Sequence, residues 1–301
     1  MSKLEVNLID SGFKHVPLPG GLSVKVPTYI NWIRDRKNYE GITVYTDGSI
    51  NAGSIQYFGG KYKIALLWES PSINPSTYQN IISLEDMFDE IWTYDERLLG
   101  RKSSKYKFHI PFSNWITATP SQIEAHTKKT EISMIFSNKN LSPGHGMRHA
   151  VHGLLQHREG IVFSGSGRGP HISNDEREEI ILDSLFTIVI ENLFMKNLFT
   201  EKLIDALVCK TIPIFCGCSN VGEFFDERGI IAFSSGEQVL DITEKILLSP
   251  RALYDEMLPY AERNRDIVRE EYCIPEDWIY KKRIAPFVEK IKGEQNGKGW
   301  G

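Results

Sequence analysis

The segment 186–217, FTIVIENLFMKNLFTEKLIDALVCKTIPIFCG, constrains the fold of this chain more than any other part of the sequence. It contains two apolar runs of the length of buried strands, Phe186–Ile190 and Ile212–Phe215. Between these runs, Glu201–Lys210 carries apolar residues at the spacing of one helix face. A strand, a loop, a helix and a second strand within about thirty residues predict a βαβ unit.

Polar and charged side chains gather at one edge of this predicted unit. Thr200 is placed to cap the N-terminus of the helix, with Glu201 and Lys202 in its first turn. Glu191 and Asn192 directly follow the first strand. Ligands of such sheets bind beyond the carboxyl ends of the strands, where helix N-termini attract phosphate. These five residues therefore mark a candidate binding site.

Each of these side chains also has a structural interpretation. Lys202 is a cation at a helix start, which the dipole disfavours unless an anion accompanies it, and this conflict favours phosphate binding over a solvated surface lysine. Glu201 could simply stabilise the helix dipole. Glu191 could brace the loop, because an unpaired buried carboxylate is costly. Asn192 could orient a ligand or be only a turn residue.

The segment resembles the signature of the α-1,3/4-fucosyltransferases, glycosyltransferase family 10. The resemblance rests on an EN pair ending a strand, a TEK triplet that ends ten residues after Asn192, an apolar helix, and a TIPI strand closing on Gly217. It implies that Glu201 accepts hydrogen bonds from the ribose hydroxyls of a nucleotide sugar. The chain departs from the family at two places. Leu198 stands two residues before Thr200, where the family commonly has an aromatic residue, and the loop Leu193–Asn197 is more apolar than the family's usual polar loop. These departures leave the identity of the transferred sugar open.

Arg148 is a second candidate cation for a diphosphate. It lies near the start of a predicted helix, Met147–Gln156, after the predicted strand Glu131–Phe136 and the loop SNKNLSPGHG. The family has an arginine at the corresponding place that contacts the donor diphosphate, and guanidinium geometry suits bidentate phosphate binding. Without the resemblance, a surface arginine is the favoured interpretation. Arg168, in the run SGSGRGP, is a weaker candidate.

Glu69 is the candidate catalytic base. It ends the apolar run Ile64–Trp68, and Pro71 ends the strand, so Glu69 is expected at a carboxyl end facing the cleft. An apolar flank that includes Trp68 would raise the pKa of the Glu69 carboxyl towards that of a useful base. The ESP triplet after an apolar strand also resembles the family, whose base is the glutamate there. A glutamate that caps a turn remains the alternative.

Alternation of strands and helices on both sides of a polar stretch, Ser113–Lys129, predicts two αβ halves. We expect an α/β fold of GT-B architecture, with two Rossmann-like domains facing a central cleft. The expected divisions are an acceptor-binding domain 1–125, a donor-binding domain 126–276, and a C-terminal stretch 277–301 that crosses back to the first domain and ends in a polar tail. Further strands are predicted at Gly41–Tyr45, Ile91–Tyr94, Tyr106–Ile110, Gly160–Phe163 and Ile230–Phe233, and helices at Pro27–Arg36, Ser83–Asp89, Ser173–Ser184 and Gln238–Leu248.

Composition limits the function further. A net charge of −4 argues against general nucleic-acid binding, so a phosphate site must be a local cluster of cations. The four cysteines lack CxxC pairs or a nearby histidine set, which favours core thiols over a zinc site. No apolar run reaches about 18 residues and the N-terminus lacks a signal sequence, so we expect a cytoplasmic protein without a transmembrane segment.

Together these features predict an inverting, metal-independent glycosyltransferase that needs no cofactor and acts on a glycan acceptor. By resemblance the donor is GDP-fucose. Glu69 would take the proton of an acceptor hydroxyl, and Arg148 and Lys202 would hold the diphosphate. Two alternatives stay open: a related transferase with another donor sugar, and a non-catalytic module that binds glycan or nucleotide.

Overall fold

The structure, a computed structural model, describes residues 3–10, 25–165 and 172–297 of the chain. These residues form two sheets, and all paired strands are parallel. The first sheet has the order β2-β1-β3-β4-β5-β6. Its strands are β1 (Leu4–Ile9), β2 (Ile30–Arg34), β3 (Ile42–Thr46), β4 (Tyr62–Leu66), β5 (Glu90–Thr93) and β6 (Tyr106–Phe108).

The second sheet has the order β11-β10-β9-β7-β8. Its strands are β7 (Thr130–Ile135), β8 (Ile161–Ser164), β9 (Ser184–Ile190), β10 (Ile212–Cys216) and β11 (Ile231–Ala232). In each sheet the chain reverses the direction in which it adds strands, at β1 in the first and at β7 in the second. Open α/β sheets bind ligands beyond the carboxyl ends of the strands at such a reversal. The loops after β3, β7 and β9 adjoin these reversals and are therefore suited to line a site, and the loop after β4 lies one strand further along the first sheet.

Helices connect and cover the strands. Those of the first half are α1 (Ala52–Phe58), α2 (Pro75–Asn80) and α3 (Glu96–Leu99), with α4 (Pro120–Ala125) in the connection between the sheets. Those of the second half are α5 (Pro143–Leu155), α6 (Asn174–Asp183), α7 (Glu201–Val208), α8 (Gly236–Leu248) and α9 (Pro250–Glu271). The chain then forms α10 (Pro275–Ile279), a π-helical turn (Tyr280–Ile284) and α11 (Ala285–Gly297). No helix of the described ranges has the length and apolar character needed to cross a membrane.

The predicted βαβ unit is confirmed as β9, α7 and β10. Every residue of both strands is buried, as expected of a parallel sheet covered on both faces. Ile212 pairs with Phe186, and Cys216 pairs with Ile190. The N-terminus of α7 consequently lies near the carboxyl end of β9. Helix α6 lies within the predicted helix Ser173–Ser184, and a capping box of Ser173 and Glu176 starts it.

The prediction of a helix at Pro27–Arg36 is wrong, because this segment contains β2. Ile30 and Ile33 have helical spacing, but Ile30 and Trp32 are the buried pair and Asn31 between them is exposed, which is strand alternation. The connection from β2 to β3 is a loop with a turn at Lys37–Asn38 rather than a helix. Buried Asn7 of β1 supports this loop: its Nδ2 donates to the Arg36 carbonyl at 2.8 Å and its Oδ1 accepts the Arg36 N–H at 3.1 Å.

Other differences concern shorter or unpredicted elements. The helix expected at Ser83–Asp89 is only a 3-10 turn, Glu85–Met87. Strand β1 and the long helix α9 were not predicted, and α5 begins at Pro143, earlier than the predicted Met147.

The connection between the sheets is fixed to the second half by two buried carboxylates. Glu178 of α6 accepts the backbone N–H groups of Thr117 at 2.8 Å and Ala118 at 2.6 Å. Asp205 of α7 accepts the backbone N–H of Trp115 at 2.9 Å. The C-terminal helices in turn contact the first half, where Tyr280 stacks on Tyr29 with ring centroids 4.8 Å apart. The two halves therefore pack against shared elements.

Candidate active site

A cleft of about 280 Å³ lies between the carboxyl edges of the two sheets, and we call it the central cleft. Its walls combine the end of β4 and the inter-sheet connection with the loops after β7 and β9 and the start of α5 and of α7. All the site residues predicted from the sequence line it: Glu69, Arg148, Glu191, Asn192, Thr200, Glu201 and Lys202. Arg168 lies outside the described residues.

A second cavity of about 320 Å³ adjoins the central cleft, and we call it the side cavity. It lies against the buried ends of β7 and β9. The two spaces share Trp115, Ser137, Arg148, Glu201 and Lys202 in their walls. A ligand with two parts could therefore occupy both spaces, with Arg148 and Lys202 beside the junction of its two parts.

Glu191 ends the buried run of β9 and is itself fully buried. Its Oε1 accepts the backbone N–H of Thr200 at 2.8 Å, and both of its oxygens lie within 3.0 Å of the Thr200 hydroxyl. Burial raises the pKa of the Glu191 carboxyl, against the attraction of Lys202. Its carboxylate is thus engaged in holding the loop between β9 and α7, which is the bracing role considered from the sequence.

Lys202 and Glu201 form a charged pair at the start of α7. The Lys202 ammonium lies 2.8 Å from Glu201 Oε1 and donates to the Thr200 hydroxyl at 2.9 Å. Burial disfavours ionised Glu201, but the nearby Lys202 and Arg177 outweigh it and lower the pKa of this carboxyl to about 2. Burial also opposes the charge of Lys202, and Glu201 and Glu191 raise the pKa of its ammonium above the ordinary value. Both groups are therefore charged at neutral pH.

Arg148, in the second turn of α5, is buried and reaches the end of β9. Its Nε and Nη2 donate to the Ile190 carbonyl, with a distance of 2.9 Å from Nε, and Nη2 also donates to Asn192 Oδ1 at 3.0 Å. Nη1 makes no hydrogen bond to a described residue. The side chain is thus held in place with two N–H groups left for an anion in the cleft.

Gly144 allows α5 to approach this edge of the sheet. Its backbone N–H donates to the Asn192 carbonyl at 3.0 Å. A Cβ atom at this position would overlap the Glu191 carbonyl oxygen and lie 2.8 Å from Asn192 Cα. Arg148, one turn further along α5, can reach Ile190 because of this close contact. The requirement for glycine arises from a tertiary contact, so sequence reasoning missed it.

His145, which flanks Arg148 in the sequence and for which an exposed or packing histidine was the favoured interpretation over a phosphate contact, also lines the cleft. It is buried, and its Nδ1 lies 2.6 Å from the hydroxyl of Ser142, the N-cap of α5. Burial, together with the positive charges of Arg148, Lys139 and Lys202, lowers the pKa of its imidazole to about 4. His145 is thus neutral at physiological pH and lies beside the two cations.

Glu69 approaches the cleft from the first sheet. Burial raises the pKa of its carboxyl, and the positive charge of Lys202 opposes that shift. The backbone around it is fixed: its N–H donates to Asp47 Oδ1 at 3.1 Å, and its carbonyl accepts from the Tyr78 hydroxyl at 2.9 Å. A carboxyl group with a raised pKa, opposite a pair of cations, has the properties of a general base.

Metal ligands do not assemble in the described part of the chain, where no group of three His, Cys, Asp or Glu side chains has a suitable arrangement. The cations Arg148 and Lys202, with neutral His145, can instead stabilise the negative charge of a bound diphosphate. Glu69 can accept a proton on the other side of the cleft. The arrangement supports displacement of a phosphorylated leaving group by a hydroxyl.

No family model matches this chain, and no curated protein sequence does. Solved structures do match. An α1,3-fucosyltransferase solved with GDP has a TM-score of 0.53 at 16% identity, and the match covers 91% of this chain and 90% of that one. An α-glucosyltransferase in complex with UDP and a 13-mer DNA has a TM-score of 0.56 at 14% identity, with 89% and 96% covered. A DNA-modifying β-glucosyltransferase has a TM-score of 0.52 at 12% identity, with 93% and 99% covered.

These matches define the class of fold. Two parallel-sheet α/β domains with a cleft between them are the GT-B fold, as the sequence predicted. Within this fold, the structural neighbours are nucleotide-sugar glycosyltransferases, a fucosyltransferase among them.

Proposed function

We propose that this protein is an inverting glycosyltransferase that moves a sugar from a nucleoside diphosphate to a hydroxyl group of a glycan. One observation carries the proposal: Glu69 of the first sheet and the cations Arg148 and Lys202 of the second half line the same cleft. Transfer with inversion needs a base and a leaving-group clamp on opposite sides of the reacting carbon. The central cleft offers both.

In this mechanism the diphosphate lies against Arg148, Lys202 and His145, and the nucleoside occupies the side cavity. Glu201 lines both spaces and would accept hydrogen bonds from the ribose hydroxyls. Glu69 removes the proton of the acceptor hydroxyl as its oxygen attacks the sugar. The protein cations neutralise the charge that develops on the leaving diphosphate, so no metal is required.

GDP-fucose is our proposed donor, and its support is the resemblance of the TEK and ESP segments together with the fold shared with a fucosyltransferase. A donor with another sugar is the second candidate. Leu198 lines the central cleft at the position, two residues before Thr200, where the family commonly has an aromatic residue, and this difference favours that alternative. A cytoplasmic location accords with the free thiols of all four cysteines.

A panel of nucleotide sugars tests the proposal. GDP-fucose, GDP-mannose, UDP-glucose and UDP-galactose are each mixed with the protein in chelator, and release of the nucleoside diphosphate is followed together with thermal stabilisation. We expect one GDP-sugar to stabilise the protein and to be hydrolysed slowly. A non-catalytic module would be stabilised without releasing the diphosphate. If no member of the panel binds, the proposed function is wrong.

A further inference from the structure

Asp47 is a buried carboxylate beside Glu69 that the mechanism above does not use. It directly follows β3 and is 7% exposed. Its Oδ1 accepts two backbone N–H groups, from Trp68 at 2.9 Å and from Glu69 at 3.1 Å. Asp47, at the end of β3, thus binds the backbone that follows the neighbouring strand β4 and carries the proposed base.

The backbone of Asp47 is fixed as well. Its φ is +38°, in the left-handed region that non-glycine residues rarely adopt, with asparagine and aspartate the usual exceptions. Its carbonyl accepts a hydrogen bond from the Thr77 hydroxyl at 3.0 Å. A strained conformation held by hydrogen bonds on both sides indicates that the position of this side chain is tightly determined.

A carboxylate at this place is costly, because it is buried and acidic groups surround it. Burial, the main cause, and the charge of Glu69 together raise the pKa of Asp47 to about 7, against the opposing effect of the N–H groups of Trp68 and Glu69. Asp10, at the end of β1, adds repulsion. No described lysine, arginine or histidine forms a salt bridge with Asp47. The two backbone hydrogen bonds are therefore the interactions that offset its burial.

We infer that Asp47 is a positioning residue for the proposed base: it fixes the Trp68–Glu69 backbone so that the Glu69 carboxyl faces the bound donor. This inference rests on the proposed function. Glu69 lies three residues beyond β4, where the Tyr78 hydroxyl also donates to its carbonyl at 2.9 Å. A base displaced by about 1 Å can lose on the order of a hundredfold in rate.

Three substitutions separate the hydrogen bonds from the backbone conformation. Asp47→Asn keeps an acceptor oxygen and tolerates a positive φ. Asp47→Gly tolerates a positive φ but removes the acceptor. Asp47→Ala removes the acceptor and disfavours the backbone conformation, so it also reports on folding. The readouts are turnover with the donor identified in the panel, donor KM, GDP affinity and melting temperature, beside the parent and Glu69→Gln.

We expect Asp47→Gly to lower kcat by about 10- to 100-fold while donor KM and GDP affinity stay within about twofold. Asp47→Asn should restore most of the turnover, because its amide oxygen accepts the same N–H groups. Equal turnover for Asp47→Gly and the parent would overturn the inference. So would parallel losses of turnover and GDP affinity, which indicate general damage to the cleft.

The controls keep this inference distinct from the proposed function. If the parent is inactive on every donor, or if Glu69→Gln turns over at the parental rate, the proposed function fails and the role of Asp47 fails with it. If Glu69→Gln loses turnover while Asp47→Gly keeps it, only the role of Asp47 is wrong.

Discussion

The Thr200 hydroxyl lies within 3.0 Å of both carboxylate oxygens of Glu191, and it also accepts a hydrogen bond from the Lys202 ammonium at 2.9 Å. One hydroxyl group thus connects the end of β9 to the cation at the start of α7. Because the Glu191 carboxylate is fully buried, it cannot replace this contact with water. The geometry of the diphosphate site therefore depends on Thr200.

Thr200→Val removes this hydroxyl at nearly constant volume. We expect a loss of about 1–3 kcal/mol in the free energy of unfolding, because a buried carboxylate loses a hydrogen bond and α7 loses its N-cap. GDP affinity should fall as well, since Lys202 loses an orienting contact. Urea denaturation and calorimetry measure the two effects. Thr200→Ser keeps the hydroxyl and should behave like the parent. If the valine and serine variants are equal in both assays, the bracing role is wrong.

Arg148 and Lys202 should hold the diphosphate without a metal. Arg148→Ala and Lys202→Ala should each weaken GDP binding by a few kcal/mol at most, as expected for the loss of charge-assisted hydrogen bonds. Calorimetry in chelator measures this effect, and affinity should fall with added salt. Arg158→Ala, which removes an exposed arginine that pairs with Glu244 and does not line the central cleft, is the matched control. Binding that appears only with magnesium or manganese would contradict the metal-free clamp.

Gly144→Ala should separate α5 from the end of β9. The added Cβ atom overlaps the Glu191 carbonyl oxygen, so the helix must shift and Arg148 must lose its contact with Ile190. We expect at least a tenfold loss of GDP affinity and a lower melting temperature, as for overpacking of about 1–3 kcal/mol. Gly146→Ala is the control, because, apart from its chain neighbours and the backbone of its own helix, no atom of the described residues lies within 4 Å of a Cβ atom at that position. Equal behaviour of the two variants would show that the close approach is not needed.

His109 should make the protein less stable in acid. It is fully buried near Trp68, Trp92 and Trp278, and neither ring nitrogen has a hydrogen-bond partner among the described residues. Burial, with a smaller contribution from the positive charge of Arg283, lowers the pKa of its imidazole to about 3, whereas in the unfolded chain it is about 6.5. The unfolded chain therefore binds a proton first as the pH falls. Stability is lost at about 1.4 kcal/mol per pH unit between these two values.

His109→Phe should remove this contribution. Between about pH 6 and 4.5, the slope of the unfolding free energy against pH should decrease by about 1.4 kcal/mol per pH unit, which corresponds to one proton. His157→Phe, the same substitution at an exposed histidine, is the control. Urea denaturation at several pH values measures the slope. An unchanged slope in His109→Phe would show that His109 is protonated in the folded protein.

The parts of the fold that were predicted correctly are those in which local pattern and tertiary environment agree. The strands β9 and β10 are continuous apolar runs, and Thr200 caps α7 as its sequence position indicates. At β2 the pattern of apolar residues was compatible with both helix and strand. Pairing with β1, which lies more than twenty residues earlier in the chain, decides between them. Short-range pattern contains no information on that pairing.

The candidate site follows the same division. Residues within one motif, such as Glu201 and Lys202, could be selected together from the sequence. Arg148 was selected only through the family resemblance, because its contact with Ile190 joins residues 42 positions apart. Gly144 and the hydrogen bonds of Asp47 likewise depend on contacts between distant segments. Such contacts exist only once the sheets have formed.

The central claim is that Glu69 is the base of a transferase whose donor is held by other residues. The most direct test compares Glu69→Gln with the parent, with GDP-fucose as donor, by the rate of GDP release and by calorimetric GDP affinity. The glutamine keeps the shape of the side chain but cannot take the proton. We predict GDP affinity within about twofold of the parent and a fall in the rate by roughly two to four orders of magnitude. A variant that releases GDP at nearly the parental rate, or a parent that binds no GDP, would contradict the account.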